Sequence, residues 1–462
     1  MQTAIYRFLI ATLTIFLVVD SNNVEACTTA VISGKATIDG RPLLWKNRDY
    51  SVIDNELIVI DGGKFRGIAI VNKGSNKSIW MGCNDQGFCI ENSVSNDLKD
   101  PSAKGGLGNG SFMLKAIQTC SNMTDFEKLL KETDQSGRAT TANFGVIDAQ
   151  GGAAIFETSP KSHKKFDAND PTVAPHGFVV RSNFSFEGQK LEGCSVSGDG
   201  SEIITDAAQK NFEKVQANAS GQRFLRARTL LTDAVADKVS AEFILKSCMK
   251  DMANEEGQAY DGTVNGKPAP LPELIPTATT ISRTTTVSAC CFVGVKPGED
   301  PSLTTMWSVL GDPKFSLAVP AWPNMPATAK VMNGGSTKNG SSLCTDSLAL
   351  RAFYFDKSRK GIHTNGLSET FEQLGKTQDY IITATNHQLE SWRKSGINQK
   401  AALEFHTSMA KQAATSLARQ VKRHASRPPI FTPLPADSEP VDEEVESEQP
   451  AAADTPSVSS NR

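Results

Sequence analysis

The chemistry in this chain is concentrated at Cys27, the first residue of the stretch Cys27-Thr28-Thr29-Ala30-Val31-Ile32-Ser33. Ahead of it lie Arg7, an apolar run from Phe8 to Val19, and a polar piece ending Val24-Glu25-Ala26. This layout predicts a secretory signal peptide over residues 1–26, with small or aliphatic residues at the third and first positions before the cut. Cleavage after Ala26 would make Cys27 the first residue of the mature chain. A thiol there carries its own base, because the freed α-amino group titrates near pH ~8 on the same residue. Two other readings compete: the residue after a cut can be without meaning, or the cysteine can be acylated as a lipoprotein tether. The tether fits poorly, because Glu25 is bulky and charged and Asp20-Ser21-Asn22-Asn23 separates the apolar run from the cysteine.

Amide hydrolysis by an N-terminal thiol also needs donors for the tetrahedral oxyanion and charges that hold nucleophile and base in place. The chain offers Lys46-Asn47-Arg48-Asp49, Glu91-Asn92, Arg181-Ser182-Asn183 and Gln222-Arg223-Phe224-Leu225-Arg226-Ala227. Taken singly these are ordinary: an asparagine at a strand end is usually a turn residue, and a helical arginine is usually solvated. Taken in order behind Cys27, they resemble the N-terminal-nucleophile (Ntn) hydrolases of the choloylglycine hydrolase and penicillin V acylase superfamily. The similarity is greatest to the isopenicillin-N acyltransferase-like branch and runs from Cys27 to Val319.

That resemblance implies a role for each matching residue. Cys27 is the nucleophile and Asp49 fixes the cysteine and its amino group. Asn84-Asp85-Gln86-Gly87 matches a turn that precedes a strand ending in the oxyanion asparagine, here Asn92. Val180-Arg181-Ser182-Asn183 carries a second oxyanion asparagine, Asn183, and Arg223 opens a helix in the active centre. Lys46 stands where the bile-salt branch has arginine, and a lysine lacks the planar fork for a bidentate hold. Strand alternation sends Lys46 and Arg48 to the same face. The implied activity is cleavage of a linear N-acyl amide through an acyl-thioester on Cys27, without a cofactor. Acyl transfer from the same intermediate is the alternative within enzymes, and a lipidated, surface-tethered binding protein is the alternative outside them.

The bulk properties fit such an enzyme. The 462 residues, 39% hydrophobic and 21% charged, describe a globular protein with a sizeable core. A net charge of −3 argues against a nucleic-acid partner, and seven acids from Asp437 to Glu448 crowd one C-terminal segment without a base. Beyond the leader no apolar run reaches the ~20 residues of a membrane helix. Of nine cysteines, eight could pair in an exported protein and leave one free, and Cys290-Cys291 reads equally as two small hydrophobes on a strand. Cys83 and Cys89 lack zinc spacing and no H-x-x-x-H pair occurs, so no metal is assigned.

The elements needed to position these residues are legible as patterns. Short β-rich runs are expected at Cys27–Ser33, Leu43–Lys46, Leu57–Ile60, Gly67–Asn72, Ser78–Met81 and Phe88–Val94. Helices follow at Ser111–Cys120 and, from a capping box at Thr124-Asp125-Phe126-Glu127, through Lys131. The glycine run Gly105 to Gly110 reads as a loop and helix start, since no Lys-Ser/Thr follows it. A hairpin at Asn143–Asp148 and Ala153–Thr158, a strand at Phe178–Asn183 and helices between Ile203 and Met249 come next. Strands are then expected at Thr279–Val295, Thr304–Leu310 and Phe315–Val319, and helices at Leu348–Phe355 and Phe371–Ala414.

Two blocks of strands with helices between them predict an α+β fold. The resemblance implies a four-layer αββα sandwich of two antiparallel sheets between helices. The expected organisation is a signal peptide at 1–26, an Ntn-hydrolase domain at 27–345, a helical extension at 346–426 and a disordered acidic, Pro-rich tail at 427–462. The expected partner is a small-molecule N-acyl amide, with no nucleic acid, no membrane in the mature form, and self-association left open. The expected location is secreted or periplasmic.

Overall fold

The computed structural model describes residues 26–100, 105–191, 195–196, 202–203, 206–253, 263–264, 267–268, 272–334 and 340–427. The expected signal peptide apart from Ala26, and the acidic tail beyond Arg427, lie outside them. Among the described residues no helix is long and apolar enough to cross a membrane.

Two antiparallel sheets face each other. The first has six strands, in the order β10 (Phe178–Arg181), β1 (Ala26–Ile32), β2 (Leu43–Asp49), β16 (Thr286–Val293), β17 (Thr305–Leu310) and β18 (Val319–Ala321). The second is a seven-stranded meander of β3 (Asn55–Ile60), β4 (Gly67–Asn72), β5 (Met81–Asn84), β6 (Cys89–Val94), β7 (Ala142–Ile147), β8 (Ala153–Thr158) and β9 (His163–Asp167). Small separate sheets are formed by β11 (Ser195–Val196) with β12 (Glu202–Ile203), by β13 (Thr263–Val264) with β14 (Lys267–Pro268), and by β15 (Leu274–Pro276), β20 (Gly361–His363) and β19 (Phe355–Asp356).

Every residue of β1 and β2 is buried, because both faces of the first sheet are covered. One face meets the second sheet, with Leu44, Ile70, Met81 and Ile155 between them. The other carries α4 (Ala219–Val235), α5 (Ala241–Lys246) and the C-terminal helices. The outer face of the second sheet is covered by α1 (Asn109–Thr119) and α2 (Met123–Ser136), where Phe112, Phe126, Phe144 and Phe156 form an aromatic cluster of their own. The layers are therefore αββα, as expected.

Several boundaries differ from the sequence reading, for local reasons. Asn122, not Thr124, caps α2: its side chain accepts from Asp125 N–H. Asn218 caps α4, so Arg223 lies in the second turn of the helix rather than at its start. The expected strand Thr279–Val295 begins only at Thr286, because residues 281–285 fold into a turn held by buried side chains. In place of a strand at Phe315–Val319, the chain makes a short 3-10 turn at Pro313–Phe315, begun by Asp312, before β18. The helix expected at Phe371–Ala414 is two helices, α8 (Leu367–Ser395) and α9 (Gln399–Ala425), broken at Gly396, whose φ of +80° suits glycine. Helix α7 (Ser342–Tyr354) runs unbroken across position 345, and the apolar cluster around Leu350, Trp392 and Leu417 is continuous with that of the first sheet.

The eight described cysteines are all buried, and none of them is in a disulfide. Cys83 and Cys89 face each other across β5 and β6, while Cys290 and Cys291 alternate along β16 as small hydrophobes. Cys194 lies outside the described residues.

Candidate active site

The register of β1 decides where each group goes. Cys27 is directly opposite Arg48, Thr29 opposite Lys46, and Ala26 opposite Asp49. Residues opposite each other share a face, so Cys27, Thr29, Lys46 and Arg48 point toward the second sheet. Their partners agree. Thr29 Oγ1 donates to Glu91 Oε1, Lys46 Nζ donates to Asn92 Oδ1 and to the Trp80 carbonyl at 2.9 Å each, and Arg48 donates to Asn55 Oδ1 at 2.7 Å and Asn72 Oδ1 at 3.0 Å. Arg48 also lies over Tyr50 and Trp80, 4.4 and 4.1 Å from the ring centroids.

Asp49 takes the opposite face, toward α4. Its carboxylate is 1% exposed, accepts a 2.5 Å hydrogen bond from Thr286 Oγ1, and has Arg283 Nη1 at 3.6 Å. Its Oδ2 has no hydrogen-bond donor among the described residues. Burial raises the Asp49 pKa above the ordinary carboxylate value, against the opposing pull of Arg283, Arg223, the Thr286 hydroxyl and Lys314.

The backbone nitrogen of Cys27 is the hinge of the arrangement. It donates to Asn183 Oδ1 at 2.6 Å, and Asn183 stands opposite Cys27 in the continued register of β10. Asn183 Oδ1 also accepts from Arg223 Nη2 at 2.8 Å, and its amide donates to the Val94 carbonyl at 3.0 Å. The Ser182 hydroxyl donates to the Cys27 carbonyl at 3.0 Å and accepts from Arg223 Nη2 at 2.9 Å. Arg223 is 1% exposed, and burial pulls its pKa down to about 10, with Asp49 opposing, Arg283 adding to the fall and Cys27 opposing.

The predicted residues therefore gather around Cys27, but three take other parts than those read from sequence. Asn183 holds the Cys27 nitrogen through its oxygen, and its NH₂ is engaged by Val94, so it is not oriented as an oxyanion donor. Lys46 holds Asn92 instead of the thiol region. Arg223 bonds Ser182, Asn183 and the Ala219 carbonyl, acting on Asp49 only through its field. Asn92 keeps the donor role available, since Lys46 takes its oxygen and its NH₂ has no partner among the described residues. Asn84 is structural: its oxygen accepts from Gln86 and Phe88 N–H and closes the turn whose Gly87 has φ +78°.

Sequence reasoning missed Arg283 and Thr286. The only signal was a lone arginine before Thr284-Thr285-Thr286 at the head of an apolar run. Glu91, quoted only beside Asn92, is fully buried between the sheets. Burial raises its pKa to about 7, opposed by Lys46, Thr29 and the Gly145 backbone. Gly145 makes room for it: a Cβ there would fall 2.1 Å from Glu91 Oε1.

No family model matches the chain, and no curated protein matches it. Among solved structures it is similar to a mutant of conjugated bile acid hydrolase from Clostridium perfringens, at 13% identity and a TM-score of 0.37 over 62% of this chain and 89% of that one. It is also similar to penicillin V acylase from Agrobacterium tumefaciens, at 12% identity and a TM-score of 0.34 over 64% of this chain and 85% of that one. The first is named as a hydrolase of conjugated bile acid and the second as an acylase of penicillin V. At these TM-scores the likeness adds no weight to the site, whose reading rests on the distances above.

Proposed function

We propose that the chain is an exported cysteine amidohydrolase, matured by removal of residues 1–26, that cleaves a linear N-acyl amide through a thioester on Cys27. The observation that carries this reading is the surroundings of the Cys27 nitrogen. Asn183 Oδ1 already accepts its proton, and the open Oδ2 of Asp49 belongs to the residue directly opposite Ala26. Removing Ala26 turns an amide with one proton into an ammonium with three, for which these oxygens are two acceptors. A buried carboxylate with an unused oxygen is costly unless something is meant to donate to it.

In the reaction the α-amino group takes the thiol proton and Sγ attacks the amide carbonyl carbon. The oxyanion is met by the Asn92 NH₂, held in aim by Lys46. When the tetrahedral adduct collapses, the C–N bond breaks, the α-ammonium returns its proton to the leaving nitrogen, and an acyl-thioester remains. Water, deprotonated by the same amine, then attacks the thioester, releasing the acid and restoring the thiol. Asp49 and Asn183 act by holding the amine toward sulfur.

The lipidated-tether reading is disfavoured by burial. Cys27 is 5% exposed and faces between the sheets, where no acyl chain could leave for a membrane. The test is a panel of N-acyl amino acids, acyl homoserine lactones, penicillins and N-acyl p-nitroanilides offered to secreted protein and to its Cys27→Ala variant. Turnover of any of them by the first and not the second is expected. Equal turnover by both would remove Cys27 from the chemistry.

A further inference from the structure

The segment 281–286 brings a guanidinium and a hydroxyl to the buried carboxylate of Asp49. Its two polar side chains that reach Asp49 come from opposite ends of a tight turn: Arg283 Nη1 lies 3.6 Å from Oδ2, and Thr286 Oγ1 donates to Oδ1. The turn closes on itself, with Arg283 N–H donating to Thr286 Oγ1 at 2.9 Å and Thr286 N–H to the Arg283 carbonyl at 3.2 Å.

This turn is clamped from behind by a second buried charge group. Lys314 Nζ donates to the Arg283 carbonyl at 3.0 Å and to the Ser282 carbonyl and hydroxyl at 3.2 and 3.1 Å, while pairing with Asp312 at 2.9 Å. Lys314 and Asp312 are both 0% exposed. Arg351, from α7, lies 3.8 Å from Asp312 and donates to the Thr284 carbonyl at 2.6 Å. A fully buried lysine spending its protons on one backbone turn is a large desolvation cost, and its effect is to fix where Arg283 points.

We propose that Arg283 is the positioning residue of this active site: it keeps Asp49 ionised so that Asp49 can hold the Cys27 amine. The claim rests on the hydrolase reading above and adds to it a residue that lies outside every motif of the sequence. The charged groups facing Asp49 are Arg283 from the turn, Arg223 from α4 and Lys314 from behind the turn. Arg223 spends its hydrogen bonds on Ser182, Asn183 and Ala219, so Arg283 is the cation in ion-pair contact with the carboxylate. Its Nε is buried without a hydrogen-bond partner and its side chain is 16% exposed, so the guanidinium is held there by charge more than by hydrogen bonding.

The test is the pH profile of kcat/KM for whichever panel compound shows Cys27-dependent turnover, measured on wild type, Arg283→Gln and Arg283→Lys. Loss of the cation makes Asp49 take up its proton at higher pH, so the acid limb of Arg283→Gln should move up by half a unit or more, lowering the rate there at least about threefold. At the alkaline plateau the loss should be smaller. Arg283→Lys keeps the charge and should keep the wild-type limb. Superimposable acid limbs for wild type and Arg283→Gln would overturn the proposal, as would a loss of equal size at every pH in both variants, which marks a packing role. Should Arg283→Gln not fold, Arg283→Lys decides alone: a limb raised by a full unit in a variant that retains the charge overturns the proposal, and an unmoved limb supports it. A wild type that turns over nothing in a Cys27-dependent way removes the hydrolase reading and this proposal together.

Discussion

Two buried carboxylates near β1, Glu157 and Asp49, sit beside arginines and are used in opposite ways. Glu157, on β8, is fully covered: Oε1 accepts from Arg181 Nε at 2.7 Å and Phe186 N–H at 2.8 Å, and Oε2 from Glu187 N–H at 2.9 Å. Its arginine lies flat between Phe166 and Phe186, 4.4 and 3.9 Å from their centroids. Asp49 has one hydroxyl donor, a cation at 3.6 Å and an open oxygen. A carboxylate whose oxygens are all taken belongs to the architecture. Under the proposed function, the oxygen of Asp49 that lacks a hydrogen-bond donor is the one kept for the Cys27 amine.

Exchanging each acid for its amide should separate the two roles. Asp49→Asn is expected to lower turnover by about 10³-fold or more, the scale seen when a residue orienting a catalytic base is removed, and to shift stability by no more than about 1 kcal/mol. Glu157→Gln leaves Arg181 buried without its anion and should cost about 3–5 kcal/mol in denaturant unfolding. The molecules that remain folded should turn over substrate at nearly the wild-type rate. If the two variants behave alike, the contrast between the acids is wrong. Next in size is Asn92→Ala, which removes the remaining oxyanion donor and should lower kcat about 10²-fold with little change in melting temperature. An unchanged kcat would return the oxyanion to other donors.

The smallest expected effect concerns Glu91, another of the buried acids. Its folded pKa of about 7 lies above its unfolded value, so its contribution to stability is greatest in acid and is lost as pH rises through 7. The wild type should therefore lose on the order of 2–3 kcal/mol of stability between pH 5 and pH 8 on this group's account. Glu91→Gln should flatten that slope, as read from urea unfolding at the two pH values. An unaltered slope would mean that Glu91 is ionised in both.

The order of short motifs, through the resemblance, picks out Cys27, Asp49, Asn92, Asn183 and Arg223, and the fold brings Asn183 to the Cys27 nitrogen and Arg223 to Asn183. Their parts were less legible. Whether Asn183 offers its oxygen or its NH₂ to Cys27 depends on Arg223 and on the Val94 carbonyl, both distant in sequence. Lys46 stands at an arginine position of the resembled family, and its reach to Asn92 is set by the packing of one sheet on the other, which no local segment carries. Arg283 was hidden for a different reason: the run from Thr279 to Val295 reads as one long strand, and the turn within it is imposed by Lys314 and Arg351 from outside. The break at Gly396 was legible in principle, since Gly396 stands two residues before the capping Asn398.

The central claim is that the Cys27 nitrogen becomes a free amine, and N-terminal sequencing of active, secreted protein tests it most directly. The account predicts a sequence beginning Cys-Thr-Thr, with loss of turnover in step with alkylation of that first residue by iodoacetamide. Active protein in which Cys27 is still joined to Ala26 would contradict it.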